Sequence, residues 1–284
     1  MLKVVSQGVY ASVQDLGRIG YANVGVPISG AMDHDSAKLA NLILHNDIDD
    51  AIIEITLGGS SFQFLKETII CICGADLNAT IDSIKVICNH PVIVKKDSVL
   101  IFERPNYGTR AYLAIKGGFL NKKVLNSRSF FKEVTKKYVL KKDDEILFNE
   151  IKVVDNQSLS VVKLNRELFL ITNLEVYEGP EFTLLSKKQK RQLENIEFTI
   201  SKDNNRMGYK LVENIENKLK SILTSAVMPG TVQLTPSGKL IVLMRDCQVT
   251  GGYPRVLQLT DSAINILSQK TANDTFKFKI VPLN

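Results

Sequence analysis

Many short apolar runs, few amphipathic stretches and one polar break near the middle predict a mainly β protein (α+β, with a few helices) built as barrels or sandwiches. Runs at residues 51–57, 68–73, 92–94, 99–102 and 110–115 are rich in Ile and Val and bounded by Gly, Asn, Asp or Pro, as strands are. A second series stands at 168–171, 196–200, 231–234, 240–244, 256–259 and 275–280. Residues 149–165 are polar and repeat-free and separate the two series, so residues 1–158 are expected to form one domain and 159–284 another.

Three helices are expected among these strands. The first covers residues 33–45, with Ala37, Ala40, Ile43 and Leu44 on one face, acidic residues in its first turn and Asn46 as a left-handed stop. The second covers 182–193, where Lys187, Lys188, Lys190 and Arg191 read as a solvated face. The third covers 260–268, capped by Thr260, Asp261 or Ser262. Isolated helices of this kind do not fit a regular βαβ alternation.

Composition narrows the function classes. A chain of 284 residues can bury one large or two medium cores, and its 44% apolar and 23% charged content argues against disorder. The net charge of +6 comes from scattered Lys without interleaved aromatics, which argues for a solvated surface and against nucleic-acid binding. The start, Met1 to Gln7, lacks the apolar core of a secretion signal, and no run of 18 apolar residues offers a membrane span. A cytoplasmic, membrane-independent protein is expected. Cys71, Cys73, Cys88 and Cys247 lack CxxC spacing and read as buried thiols, while His34, His45 and His90 are dispersed, so no metal site is expected.

Four polar segments flanked by glycine interrupt the apolar rhythm. Gln14, Asp15 and Arg18 stand within five residues, beside Gly17 and Gly20. They suit either a loop that holds a planar polar ligand or a turn closed by an Asp15–Arg18 ion pair. Residues 25–33 carry Ser29 and Asp33 into the first helix, where backbone N–H groups favour an anion or a simple side-chain cap. Residues 203–208 (Asp203-Asn204-Asn205-Arg206-Met207-Gly208) read as a surface turn or as a site where the Arg206 fork meets a carboxylate or phosphate. Residues 246–255 place Asp246, Gln248, Thr250 and Tyr253 around Gly251-Gly252, directly after an apolar strand, where a rigid scaffold would present binding groups. There is no GxxxxGK[ST], GxGxxG, HExxH or GxSxG motif, and no Met-Lys-Met setting of the kind that carries biotin.

In this order the segments resemble the KipA-like family of carboxyltransferase-domain proteins, which includes the C component of bacterial ATP-dependent 5-oxoprolinase and part of the urea carboxylase carboxyltransferase domain. The matching text is GVYASVQDLGRIGY, GVPISGAMD with Asn41 and Asn46 after it, Glu54 with Leu57-Gly58-Gly59, and Gly74-Ala75-Asp76. It continues through RAYLAIKGGF from Arg110, Gly179-Pro180-Glu181, Asn205-Arg206-Met207-Gly208, Gly230-Thr231-Val232-Gln233 and DCQVTGGYPR from Asp246.

The resemblance covers nearly the whole chain and implies two cyclophilin-like β-barrel domains. It also implies two partners, a KipI-like B component and an A component, and an overall conversion of 5-oxoproline, ATP and water to glutamate, ADP and phosphate. ATP would activate the lactam by phosphorylating its oxygen, so protein groups must hold the substrate carboxylate and developing phosphoryl charge. On that reading Arg18, Arg206 and Arg110 serve the anions. Asp15 and Asp246 orient a substrate N–H or move a proton. Gln14, Gln248, Thr250 and Tyr253 fix a planar amide, with Ser29, Tyr112, Asn205 and Gln233 as further substrate contacts. The resemblance assigns the ATP pocket to no residue of this chain. The chain departs from the family at Asn126-Ser127-Arg128-Ser129-Phe130, where Gly-Ser-Arg-Ser-Thr is common, and at 132–137, where a glycine-rich stretch is replaced. Two alternatives stay open: a carboxyltransferase or allophanate hydrolase-type component of urea metabolism, with biotin on another chain, and a KipA-like regulatory partner of a KipI-like protein.

Overall fold

A computed structural model describes residues 1–150, 162 and 166–282. The chain forms two compact units, Met1–Arg18 with Ser29–Asn165, and Ile19–Ile28 with Arg166–Asn284.

In the first unit β1 (Leu2–Gln7), β2 (Tyr10–Gln14), α1 (His34–Ile43), β3 (Ile52–Thr56), β4 (Ser60–Phe64), β5 (Thr68–Asp76) and β6 (Thr80–Ile81) follow in order. After them come β7 (Ile84–Lys85), β8 (Pro91–Val94), β9 (Val99–Ile101), β10 (Tyr107–Ile115) and β11 (Glu145–Ile146). They make two sheets, ordered β11-β1-β4-β9-β6-β7 and β2-β3-β10-β5-β8. Both sheets send residues into one core: Leu2, Phe62 and Leu100 from the first, Val13, Ile53 and Leu113 from the second. The alternation of strand side chains turns the other row of the five-stranded sheet, including Cys71, Cys73 and Tyr112, toward α1, where they meet Ala37, Ala40 and Ile43.

In the second unit α2 (Glu167–Leu170), β12 (Asn173–Glu178), α3 (Lys187–Asn195), β13 (Phe198–Asn204), β14 (Gly208–Asn214) and β15 (Ser225–Ala226) come first. They lead to β16 (Thr231–Leu234), β17 (Lys239–Leu243), β18 (Thr250–Gly251), β19 (Arg255–Leu259), α4 (Asp261–Ser268) and β20 (Thr275–Ile280). Seven of these strands close as β12-β19-β16-β17-β14-β13-β20, and closure removes exposed sheet edges. Phe198, Phe276 and Phe278 stack inside it, with ring centroids 5.1–6.3 Å apart.

The mainly β class with few helices is what the apolar runs predict, and the differences are local. Residues 168–171, expected as strand, lie largely in α2, with Leu168 and Leu170 exposed. The helix expected at 182–193 starts later, because Ser186 and Gln189 form a capping box and the preceding residues make only a short 3₁₀ turn. The left-handed residue after α1 is His45, φ +52°, not Asn46. Asn46 instead spends its amide on Ile115 O at 2.7 Å and its carbonyl oxygen on Gly117 N–H at 2.8 Å. Thr260 caps α4 through Ala263 N–H, and Asp33 caps α1 through Ser36 N–H.

Candidate functional site

Asp15 directly follows β2 and gathers a distant loop. Its Oδ1 accepts from Gly17 N–H at 2.9 Å, Ser127 Oγ at 2.7 Å and Ser129 Oγ at 2.5 Å, and its Oδ2 accepts Arg128 N–H. Arg18, 1% exposed, reaches the same loop, donating through Nη2 to Ser129 O and through Nε to Val124 O at 3.3 Å. The 127–129 segment, which in sequence is visible only as a departure from the family pattern, is thus what the Gln14–Arg18 segment holds. Gln14 lies buried on β2, its Nε2 2.9 Å from Ser12 Oγ.

Gly30 and Ala31 of the second polar segment pack directly on residues 15–17 of the first. Ala31 N–H donates to Asp15 O at 2.8 Å, and Gly30 has φ +92° with backbone so close that a Cβ there would lie 2.9 Å from Gly17 N. Ser29 beside it is fully buried at φ +59°. Behind this loop Glu54 and Arg110 stand on adjacent strands, Arg110 Nε 3.8 Å from Glu54 Oε1, both almost without exposure. Glu54 Oε2 accepts Met32 N–H at 2.7 Å, and Tyr112 Oη accepts Asp33 N–H at 2.8 Å. Burial pushes the Tyr112 phenol well above its ordinary range, and the Glu54 carboxylate adds to the effect, so Tyr112 stays a neutral hydrogen-bonding group. Arg110 and Tyr112 therefore belong with Glu54 to one buried network that fixes the backbone at Met32 and Asp33, and Ser29 lies buried in the same loop. The family resemblance includes Glu54 but gives it no role. Its signal is a carboxylate inside the apolar strand Ile52–Thr56, which is costly unless paired.

In the second unit the structure brings four predicted residues into one groove. Asn205, Gln233, Gln248 and Tyr253 line a cavity of about 560 Å³ on the outward row of β13, β14, β16 and β17. Lys202 and Lys210, not expected from sequence as site residues, stand on its wall with Asp203, which opens the predicted 203–208 segment, Lys210 Nζ lying 3.2 Å from Asp203 Oδ2. Gln233 is 2% exposed and comes from a strand whose neighbours Val232 and Leu234 point into the barrel. A Cβ at Gly251 would lie 2.5 Å from Gln233 Nε2, so glycine at that position makes room for this side chain. Thr250 is exposed on β18, paired with Ala226, and is not among the residues lining the groove.

Arg206 and Asp246 flank the groove. The guanidinium holds the carboxylate by two bonds, and Asp246 N–H donates to Arg206 O at 2.8 Å. Asn205 Oδ1 accepts Met207 N–H at 2.7 Å and Gly208 N–H at 3.3 Å, the turn expected of Asn. Nearby, Arg255 grips Glu181 at 2.8 and 3.0 Å. These bonds hold the Glu181 carboxyl below its usual range and raise Arg255. Among the described residues no group of His, Cys, Asp and Glu is placed to hold a metal ion, and no helix is long and apolar enough to cross a membrane.

Residues 24–280 match the family described as carboxyltransferase domain, subdomain A and B. The chain belongs to this family. Two proteins named as the C component of 5-oxoprolinase resemble this carboxyltransferase-domain chain along its length. That of Escherichia coli K12 is 30% identical over 275 residues, covering 95% of this chain and 87% of its own. That of Haemophilus influenzae is 28% identical over 296 residues, covering 100% and 92%. Urea amidolyase of Saccharomyces cerevisiae is 42% identical over 131 residues, 46% of this chain and 7% of its own. Among solved structures, the Kluyveromyces lactis urea amidolyase superposes with a TM-score of 0.86 at 26% identity, covering all of this chain and 19% of that one. TTHA0988 superposes with a TM-score of 0.88 at 23% identity, which carries the fold alone, and this chain spans 55% of its length.

Proposed function

We propose that this chain is the C component of an ATP-dependent 5-oxoprolinase. In a cytoplasmic complex with the A and B components, B being KipI-like, it takes part in opening 5-oxo-L-proline to L-glutamate. The observation that carries this reading is the groove in which Gln233, Gln248, Asn205 and Tyr253 meet Lys202 and Lys210. A lactam presents an N–H donor and a C=O acceptor side by side, and a primary amide such as that of Gln233 or Gln248 pairs with both. The substrate's carboxylate finds its counter-charge at Lys202 or Lys210. Similarity over the whole chain to two proteins named as this 5-oxoprolinase component favours the same reading.

ATP supplies the activation that a poorly electrophilic lactam carbonyl needs. The groove does not fit the nucleotide well: its cations are two lysines, one already paired with Asp203, which suits a single carboxylate better than a triphosphate. The role of this chain's residues is therefore to bind and orient the cyclic amide. The test is glutamate release from 5-oxoproline and ATP by the assembled complex. Gln233→Ala should raise KM about tenfold or more, the cost of leaving a buried hydrogen-bonding group unmade, with little change in fold. No glutamate above background from the assembled wild-type complex would sink the reading.

A second reading is carboxyl transfer in urea metabolism, favoured by the 42% identity to yeast urea amidolyase over 131 residues. Biotin would then arrive on another chain. Urea-dependent consumption of a carboxylated biotin carrier, without turnover of 5-oxoproline, would select it.

A further inference from the structure

The two sheets of the first unit both end beside one groove. β7 is the last strand of the six-stranded sheet and β8 the last of the five-stranded sheet, and residues of both line a cavity of about 520 Å³. Three isoleucines project there: Ile84 is 74% exposed, Ile87 63% and Ile93 52%. Scattered exposed apolar residues are ordinary, but three converging on one groove between sheet ends mark an interaction surface.

The chemistry of the groove narrows its occupant. A terminal strand offers unpaired N–H and C=O groups along one side, and the partner that satisfies them is another extended chain. β8 spans four residues, Pro91–Val94, and Pro91 lacks an N–H, so pairing is set by Val92 to Val94. The margin is basic: Lys85 and Lys95 line it with His90, while among the described residues the one carboxylate lining it, Asp82, is already engaged by Val99 N–H at 2.9 Å. Complementarity asks for carboxylates on the occupant. The other end of the five-stranded sheet is different in kind, since β2 leads there into the Asp15 loop, whose backbone is bonded to Ala31 and Ser129.

We infer that the β7–β8 groove docks an extended segment of a partner protein of the complex, apolar at alternate positions and carrying acidic residues, which adds a strand to β8. The inference rests on the proposed multi-component assembly, but its readout is binding and not turnover. The full chain is titrated with each of the purified A and B components, as wild type and as the doubly substituted I84D/I93D. Both positions are exposed, so the variant keeps the wild-type circular dichroism and melting temperature. Binding should weaken about thirtyfold or more in the variant, as for loss of a central apolar anchor. Hydrogen exchange should show the β8 amides protected in the wild-type complex.

Equal affinity of wild type and variant, unchanged exchange at β8, or no complex with either component would overturn the docking inference. So would concentration-dependent self-association that I84D/I93D abolishes, since the occupant would then be a second copy. A complex that forms through the groove but yields no glutamate would leave docking standing and remove the 5-oxoprolinase reading instead.

Discussion

Arg206 holds Asp246 by two parallel hydrogen bonds, Nε to Oδ2 at 2.8 Å and Nη2 to Oδ1 at 3.0 Å, with both side chains about nine-tenths buried. The pair joins the Asn205–Gly208 turn to the residues after β17, so it sets one wall of the groove. Removing one partner leaves a buried charge uncompensated, which costs about 3–5 kcal/mol. Arg206→Ala should therefore lower stability by that order in urea denaturation and abolish turnover together. Arg206→Lys keeps the charge but loses the fork, and should fall between. Wild-type stability in Arg206→Ala would show that the pair does not support the fold.

Asp15 is the anchor of the 127–129 segment. Asp15→Asn keeps the size but sets an NH₂ against donors that now point at an oxygen, leaving one or two of them unsatisfied at about 1–3 kcal/mol each. The expected result is a melting temperature lower by several degrees, with faster exchange at the amides of Arg128 and Ser129. Unchanged exchange there would refute the anchoring role.

How much of this was legible follows from range. Helix caps at Asp33 and Thr260 are local, and the sequence carries them within three or four residues. The strands at 231–234 and 275–280 coincide with β16 and β20 because apolar alternation is local too. The pairing of Asp15 with Ser127 and Ser129 spans more than a hundred residues, and nothing in either segment names the other. Lys202 and Lys210 read as ordinary solvated lysines until the hairpin of β13 and β14 put them beside Gln233. The excursion of Ile19–Ile28 into the second unit also leaves no mark in composition.

Gly251 gives a test of the groove that bypasses charge. A methyl group there would lie 2.5 Å from Gln233 Nε2, the end of a flexible side chain, so the amide must shift while the backbone need not. Gly251→Ala should keep the fold and raise the KM for the cyclic amide severalfold, with kcat changing less, because ground-state contacts are lost. A normal KM would show that Gln233 does not contact substrate.

Glu181 and Arg255 give the second unit a pH-dependent contribution. Arg255, by hydrogen bond and charge, depresses the Glu181 carboxyl in the folded state, whereas in the unfolded chain it titrates near the ordinary value of about 4.3. A depressed folded value stabilises the fold above the unfolded one, and that contribution is lost as pH falls through the lower, folded value. At neutral pH the pair is fully formed, holding β19 through Arg255 N–H to Glu181 Oε2 at 2.8 Å. Glu181→Gln should therefore be less stable than wild type at pH 7, by about 1 kcal/mol for a partly exposed pair. The difference should shrink steadily as pH is lowered below about 4. Urea denaturation of both proteins across pH 7 to 3 measures it, and a gap that stays constant with pH would show that the ion pair contributes nothing.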